Sequence, residues 1–228
     1  MRAAAAGGIP VPAVHAEGRW EGRPALLLEW VAGRPVVDAF RAQPWRIAAL
    51  GAMCGRMHAR IHTVPAPQGP EYPPDRWLDW AGTLDAPLRE RMRALARAPL
   101  VLCHFDYHPL NVMTDGARVT GVLDWPNAMP GDPRADLART FVLMRFPPNV
   151  RLRFYETLAI RIFLRAWWRA YQRAVGPVGD MTSFYVWAGT TTLLDQEAKI
   201  DRPNIPRSAD SFDPLRRWTA RWRERAGL

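Results

Sequence analysis

"HFDYHPLNVM", residues 104–113, places two histidines, an aspartate and an asparagine within eight positions. Apolar residues flank it, "LVLC" before and "VM" at its end. The segment that follows, "NVMTDGARVTGVLDW", predicts a β-hairpin turning at Asp115-Gly116. With a loop of three or four residues, Asn111 falls opposite residues 122–124 of the returning strand. Asp124 then lies beside Asn111 at the open end of the hairpin, and Asp106 sits on the loop leading in. Two carboxylates and an amide oxygen on one point form a hard, oxygen-rich site suited to Mg²⁺. Such groups are costly to bury unless they are occupied or paired.

Outward from this stretch the chain alternates β and helical patterns. Residues 11–20 and 24–33 read as a hairpin whose second strand, "PALLLEWVAG", is almost wholly apolar. A helix is predicted over residues 44–62, with Ile47, Leu50, Cys54, Met57 and Ile61 at helical spacing. A proline-rich loop follows, then a helix capped by Asp85 and running to about Arg97. "PLVLCHFD" reads as a short buried strand. Beyond residue 133 the chain is mostly helical: residues 134–146, 151–175 and 182–199, and a closing helix with Leu215, Trp218 and Trp222 on one face.

The order H-x-D-x₄-N followed by a metal-binding Asp is the kinase arrangement. His104, Asp106 and Asn111 fit its loop, and Asp124 fits the metal residue, although Trp125 stands where protein kinases have Phe-Gly. "VLCHFDYHPLNVM", "VLDWPNAMPGDPRADLART", "LLLEWVAGRPV" and "GRMHARIH" together resemble the aminoglycoside phosphotransferase and choline kinase type of enzyme, which has a protein-kinase-like fold. The motifs cover about residues 9–145. The resemblance implies an α+β fold consisting mainly of the helical C-terminal lobe plus a hinge hairpin. It divides the chain into residues 1–33, N-lobe remnant and hinge, and residues 34–228, the helical lobe with catalytic loop and metal hairpin.

The same resemblance implies the roles. Asp106 is the catalytic base, Asn111 and Asp124 are the Mg²⁺ ligands, and Glu29, Trp30 and Val31 present backbone groups to the adenine of ATP. Asp136 ties down the catalytic-loop backbone, and Asp132 is a candidate cap for its helix. His104 and His108 are read as bracing the loop, and His58 as structural. The implied activity moves the γ-phosphate of ATP to a hydroxyl of a small molecule, an antibiotic or a metabolite. The alternative is a non-catalytic, pseudokinase-like binding protein on the same fold.

The chain departs from the family before the hinge. No glycine-rich phosphate loop precedes Leu26, and the one lysine, Lys199, lies far past the catalytic loop. Arginine differs from lysine in shape and hydration and is no ready substitute. A truncated N-lobe is therefore expected, in a fragment of an enzyme, a degenerate homologue, or a chain completed by another polypeptide. An uncovered hinge strand is also expected to self-associate through its open edge.

Composition narrows the classes. Among 228 residues, 31 are basic and 22 acidic, a net charge of +9. The basic residues are scattered arginines rather than a binding stripe, and the eleven tryptophans sit mainly at helix-face positions. A nucleic-acid partner is thus disfavoured. No apolar run is long enough for a membrane span, and Cys54 and Cys103 read as core residues of a reducing, cytoplasmic compartment. Asp195, Glu197 and Asp201 could line an acidic pocket for a polycation, but a solvated helix end is the commoner use of such a cluster.

Overall fold

The computed structural model describes residues 1–96, 99–147, 152–198 and 212–228. After a one-turn helix α1 (Arg2–Ala6), β1 (Val14–Trp20) and β2 (Arg23–Leu28) form an antiparallel hairpin, with Trp20 opposite Arg23 and Val14 opposite Leu28. A two-residue strand β3 (Arg34–Pro35) leads into α2 (Val36–Ala42) and then α3 (Ile47–Ile61). The predicted start at Pro44 is a turn of 3-10 helix over Pro44–Arg46. The helix α4 (Ala86–Leu95) is capped by Asp85, whose side chain accepts the Leu88 N–H and a two-pronged contact from Arg223.

Strand β4 (Val101–Cys103) pairs with β7 (Met129–Gly131), while β5 (Val112–Thr114) lies between β3 and β6 (Val119–Val122). The remaining elements are α5 (Pro133–Arg145), α6 (Phe154–Val175), α7 (Thr182–Glu197) and α8 (Asp213–Ala226). Arg97 and Lys199, ends assigned to two predicted helices, lie outside the described residues. Trp77, Trp167 and Trp187 are fully buried at the centre of the helical body, whereas Trp20, Trp30 and Trp45 are exposed. Both cysteines are buried and free. Among the described residues, no helix is long and apolar enough to cross a membrane.

The long helices α3 and α6 meet almost backbone to backbone because α3 carries glycine at both facing positions. A Cβ on Gly51 would lie 2.6 Å from the Phe163 carbonyl oxygen, and one on Gly55 would overlap the Trp167 carbonyl oxygen. Main-chain atoms cannot turn aside as a side chain can, so the helices would have to separate. Gly55→Ala gains about 1 kcal/mol of helix propensity but forces repacking that costs about 3 kcal/mol. A net fall in melting temperature of about 4–8 °C is expected by calorimetry. An unchanged melting temperature would show that the close crossing does not constrain the fold.

Candidate active site

The loop between β4 and β5 is held by one buried carboxylate. Asp136, in the first turn of α5, accepts the His104 N–H at 2.6 Å on Oδ2 and the Phe105 N–H at 2.9 Å on Oδ1. Consecutive N–H groups can reach one carboxylate only if the chain turns sharply, and Phe105 accordingly has φ +56°. A bulky residue in that region is strained. The two charge-assisted hydrogen bonds offset the cost. This turn also ends the strand at Cys103, short of the sequence expectation that ran it through Asp106. Asp132 caps α5, accepting the Arg134 N–H at 2.9 Å and pairing with the Arg134 guanidinium at 2.6 Å.

His104 is fully buried and braces the loop from within. Its Nε2 donates to the Leu123 carbonyl at 2.9 Å and its Nδ1 accepts the Asp106 N–H at 3.2 Å. Burial lowers its pKa, in keeping with this neutral tautomer. His108 accepts the Leu110 N–H on Nδ1 at 3.3 Å and points Nε2 at Asp106 Oδ1, 3.5 Å away.

The structure brings Asp106 and Asn111 together. Asn111 Nδ2 donates to the Asp106 carbonyl at 2.9 Å and to its carboxylate at 3.3 Å. The amide orientation is thereby fixed and leaves Asn111 Oδ1 as the free acceptor. Burial opposes ionisation of Asp106, but hydrogen bonding and charge from His108, then Arg139 and His104, hold its carboxyl below the usual range. The hairpin has the expected register, with Val112 opposite Val122, and Leu123 N–H donates to the Asn111 carbonyl at 2.8 Å. Asp124 therefore emerges one residue beyond that bond. It is exposed, has φ +64°, and its carboxylate has no hydrogen-bond or ion-pair partner among the described residues. Its carboxylate thus faces solvent in a backbone conformation that costs a non-glycine residue some strain. A carboxylate and an amide oxygen are donors of the hard kind that divalent cations such as Mg²⁺ favour.

The hinge residues are less uniform than expected. The Glu29 N–H is already bonded to the Ala13 carbonyl at 2.8 Å, and the Glu29 side chain accepts the Ala13 N–H at 3.0 Å. Glu29 thus extends the β1–β2 pairing. The backbone groups of Trp30 and Val31 form no hydrogen bond among the described residues, and Trp30 is 93 % exposed. The acidic cluster is likewise not a free surface. Asp195 pairs with Arg139 at 3.3 Å and Glu197 with Arg216 at 2.9 Å; Asp201 lies outside the described residues.

Sequence reasoning missed Arg139. Three positions after Asp136, it is fully buried over the Trp80 ring. It donates Nε to the Phe105 carbonyl at 3.2 Å and Nη1 to Thr192 Oγ1 at 2.7 Å. It locks the carbonyl side of the strained turn whose N–H side Asp136 holds. Its spacing from Asp136, one helical turn, was the available signal.

Residues 1–173 match the model of the phosphotransferase enzyme family. The chain belongs to this family. Solved phosphotransferases of the same shape agree. A candidate aminoglycoside phosphotransferase from Ralstonia eutropha JMP134 is 18 % identical, with a TM-score of 0.67 over 98 % of this chain and 80 % of that one. A thermostable form of the aminoglycoside phosphotransferase APH(4)-Ia, solved with AMP-PNP and hygromycin B, is also 18 % identical. Its TM-score is 0.63, over 96 % of this chain and 79 % of that one. The amicoumacin kinase hAmiN, solved with AMP-PNP, Ca²⁺ and Ami, is 16 % identical, with a TM-score of 0.59 over 98 % of this chain and 75 % of that one. These establish the kinase-like fold of this phosphotransferase-family chain. No curated protein sequence matches it.

Proposed function

We propose that the chain transfers the γ-phosphate of ATP to a hydroxyl of a small molecule. The observation that carries this reading is the pairing of Asp106 with Asn111 beside an unpartnered, strained Asp124, all within the family-matched stretch. Asp106 receives and orients the acceptor hydroxyl and takes its proton as the new P–O bond forms. Asn111 Oδ1 and the Asp124 carboxylate would hold Mg²⁺, which when bound neutralises phosphate charge. Trp30 and Val31 offer free backbone groups to adenine. ATP as donor is supported by the AMP-PNP bound in structural relatives.

The acceptor is better read as neutral or anionic than as a polycation. The net charge is +9, and Asp195 and Glu197 are engaged by arginines; a polycation would be repelled on approach. The test is ADP release with Mg²⁺-ATP across a panel of hydroxyl compounds, with mass spectrometry of the products. Acceptor-dependent ADP and a product heavier by one phosphoryl group are expected. ATP bound without turnover for every acceptor would favour the second reading, a non-catalytic binding protein. That reading draws on the absence of any lysine before the catalytic loop.

We also propose that two copies associate through the β1–β2 hairpin. Each strand pairs only with the other among the described residues. Trp20, Leu26 and Leu27 are 73, 56 and 63 % exposed. Identical open edges can pair with each other about a two-fold axis and cover the same apolar patch on both copies. Light scattering should show a mass that rises with concentration and falls to the monomer with Leu27→Glu. A wild-type monomer at every concentration would refute the pairing.

A further inference from the structure

Beside the catalytic loop, and separate from the Asp106–Asn111–Asp124 group, three buried side chains converge in a way the phosphoryl-transfer reading does not use. His58 and His62 stand one turn apart on α3, so both imidazoles leave the same helix face. Asp136 faces them from α5. His58 Nε2 lies 3.2 Å and His62 Nε2 3.1 Å from the same oxygen, Asp136 Oδ2. That oxygen also accepts the His104 N–H. Three nitrogens thus approach one carboxylate oxygen, which has two lone-pair directions.

His62 and His104 make hydrogen bonds to it, and His58 does not. Neither ring nitrogen of His58 has a hydrogen-bond partner, although the residue is fully buried against Tyr107 and Trp167. Native cores rarely leave both nitrogens of an imidazole unpaired. A protonated carboxyl would not help, because the His104 and Phe105 N–H groups already need both oxygens as acceptors.

A cation bound to the two imidazoles and Oδ2 resolves the conflict. Each ring would then turn a lone pair, not an N–H, toward the carboxylate. The three donor atoms lie within 4.8 Å of one another. Tetrahedral zinc, with bonds of about 2.0–2.1 Å, separates adjacent donors by about 3.3 Å, close to the two distances observed. The supporting shell also fits. His62 Nδ1 lies 2.7 Å from Tyr171 Oη, an oxygen able to accept the N–H that a metal-bound imidazole presents on its far side. Two imidazoles and one carboxylate suit zinc, whereas Mg²⁺ and Ca²⁺ prefer all-oxygen sites.

We propose that His58, His62 and Asp136 form a buried zinc site, with the fourth position left to a water, that clasps α3 to α5 and, through Asp136, to the catalytic loop. A buried site of this kind fills as the chain folds. The protein should therefore be refolded from urea in ZnCl₂ or in EDTA, freed of excess metal, and assayed for bound zinc and melting temperature. About one zinc per chain is expected, with a melting temperature about 5–10 °C above that of the EDTA-refolded protein. His58→Leu should fold, since it removes an unsatisfied ring, and should lose both the zinc and the shift. Should that variant not fold, refolding the wild type in CoCl₂ gives an independent reading, expected to show the visible absorption of tetrahedral cobalt. Equal melting temperatures in zinc and EDTA without cobalt absorption would overturn the proposal. So would full zinc retention by His58→Leu.

Discussion

Asp136→Ala should cost the fold about 3–5 kcal/mol, a large share of the total stability of about 5–15 kcal/mol of an ordinary domain. The carboxylate is the acceptor for two consecutive backbone N–H groups and the neighbour of two imidazoles. Alanine leaves the His104 and Phe105 N–H groups buried with no acceptor, at about 1–3 kcal/mol each. It also leaves the left-handed backbone of Phe105 held by the Arg139 contact to its carbonyl and no longer by its N–H side. Burial opposes ionisation of Asp136, yet His58 and His62 hold its carboxyl well below the usual range. The group lost is therefore a carboxylate and not a neutral acid. Asp136→Asn keeps one carbonyl acceptor and should cost roughly half as much, about 2 kcal/mol. Urea unfolding of the wild type and both variants measures the series. A midpoint for Asp136→Ala within about 0.5 kcal/mol of the wild type would mean that the loop is held by something else.

The half of the site that could be read from the sequence is the half whose geometry is local. Asp106, Asn111 and Asp124 lie on a single loop and hairpin, so turn chemistry at Asp115-Gly116 and strand register place them without knowledge of the rest of the chain. Asp136 became legible only through the family's "DPRADLA" pattern, because nothing local says which backbone a helix-start aspartate will reach. The contacts around it were invisible for the same reason. His58 reads as one more residue on an apolar helix face until the fold brings the Asp136 carboxylate to it. Arg139 reads as a solvated helix arginine until α7 brings Thr192 and Asp195 to it.

Where local reasoning failed, a tertiary contact competed with a local rule. The apolar run of "PLVLCHFD" carried the buried strand through Asp106, but Asp136 turns the chain at Phe105. Glu29 reads, with Trp30 and Val31, as presenting backbone groups, but its N–H is bonded to the Ala13 carbonyl, next to the bulge between Val14 and Ala16. The Asp195–Glu197 cluster looked like bare acidity because its arginine partners are remote in sequence. In this chain secondary structure and loop chemistry follow from short windows, while charge state and exposure follow from packing that those windows do not contain.

Asp106→Asn should lower acceptor-dependent ADP release about 10²–10⁴-fold, the usual contribution of a positioned general base, with little change in melting temperature. The amide is the same shape and still offers an oxygen to Asn111 Nδ2, so the loop keeps its internal bond. What it lacks is the charge that orients the hydroxyl and the capacity to take its proton. The residue is only partly buried and its partners His108 and Asn111 can reach water, so the structural cost stays small. Asp124→Gly separates chemistry from folding more sharply. Asp124 has no protein partner among the described residues and sits at φ +64°, where glycine is at ease. The variant should therefore lose turnover and Mg²⁺-ATP affinity while melting at or above the wild-type temperature, with up to about 1 kcal/mol of strain relieved. A site maintained against the interest of the fold gives this opposed pair of changes; a structural aspartate gives loss of both. Turnover of both variants within twofold of the wild type would remove Asp106 and Asp124 from the chemistry and with them the phosphotransfer reading.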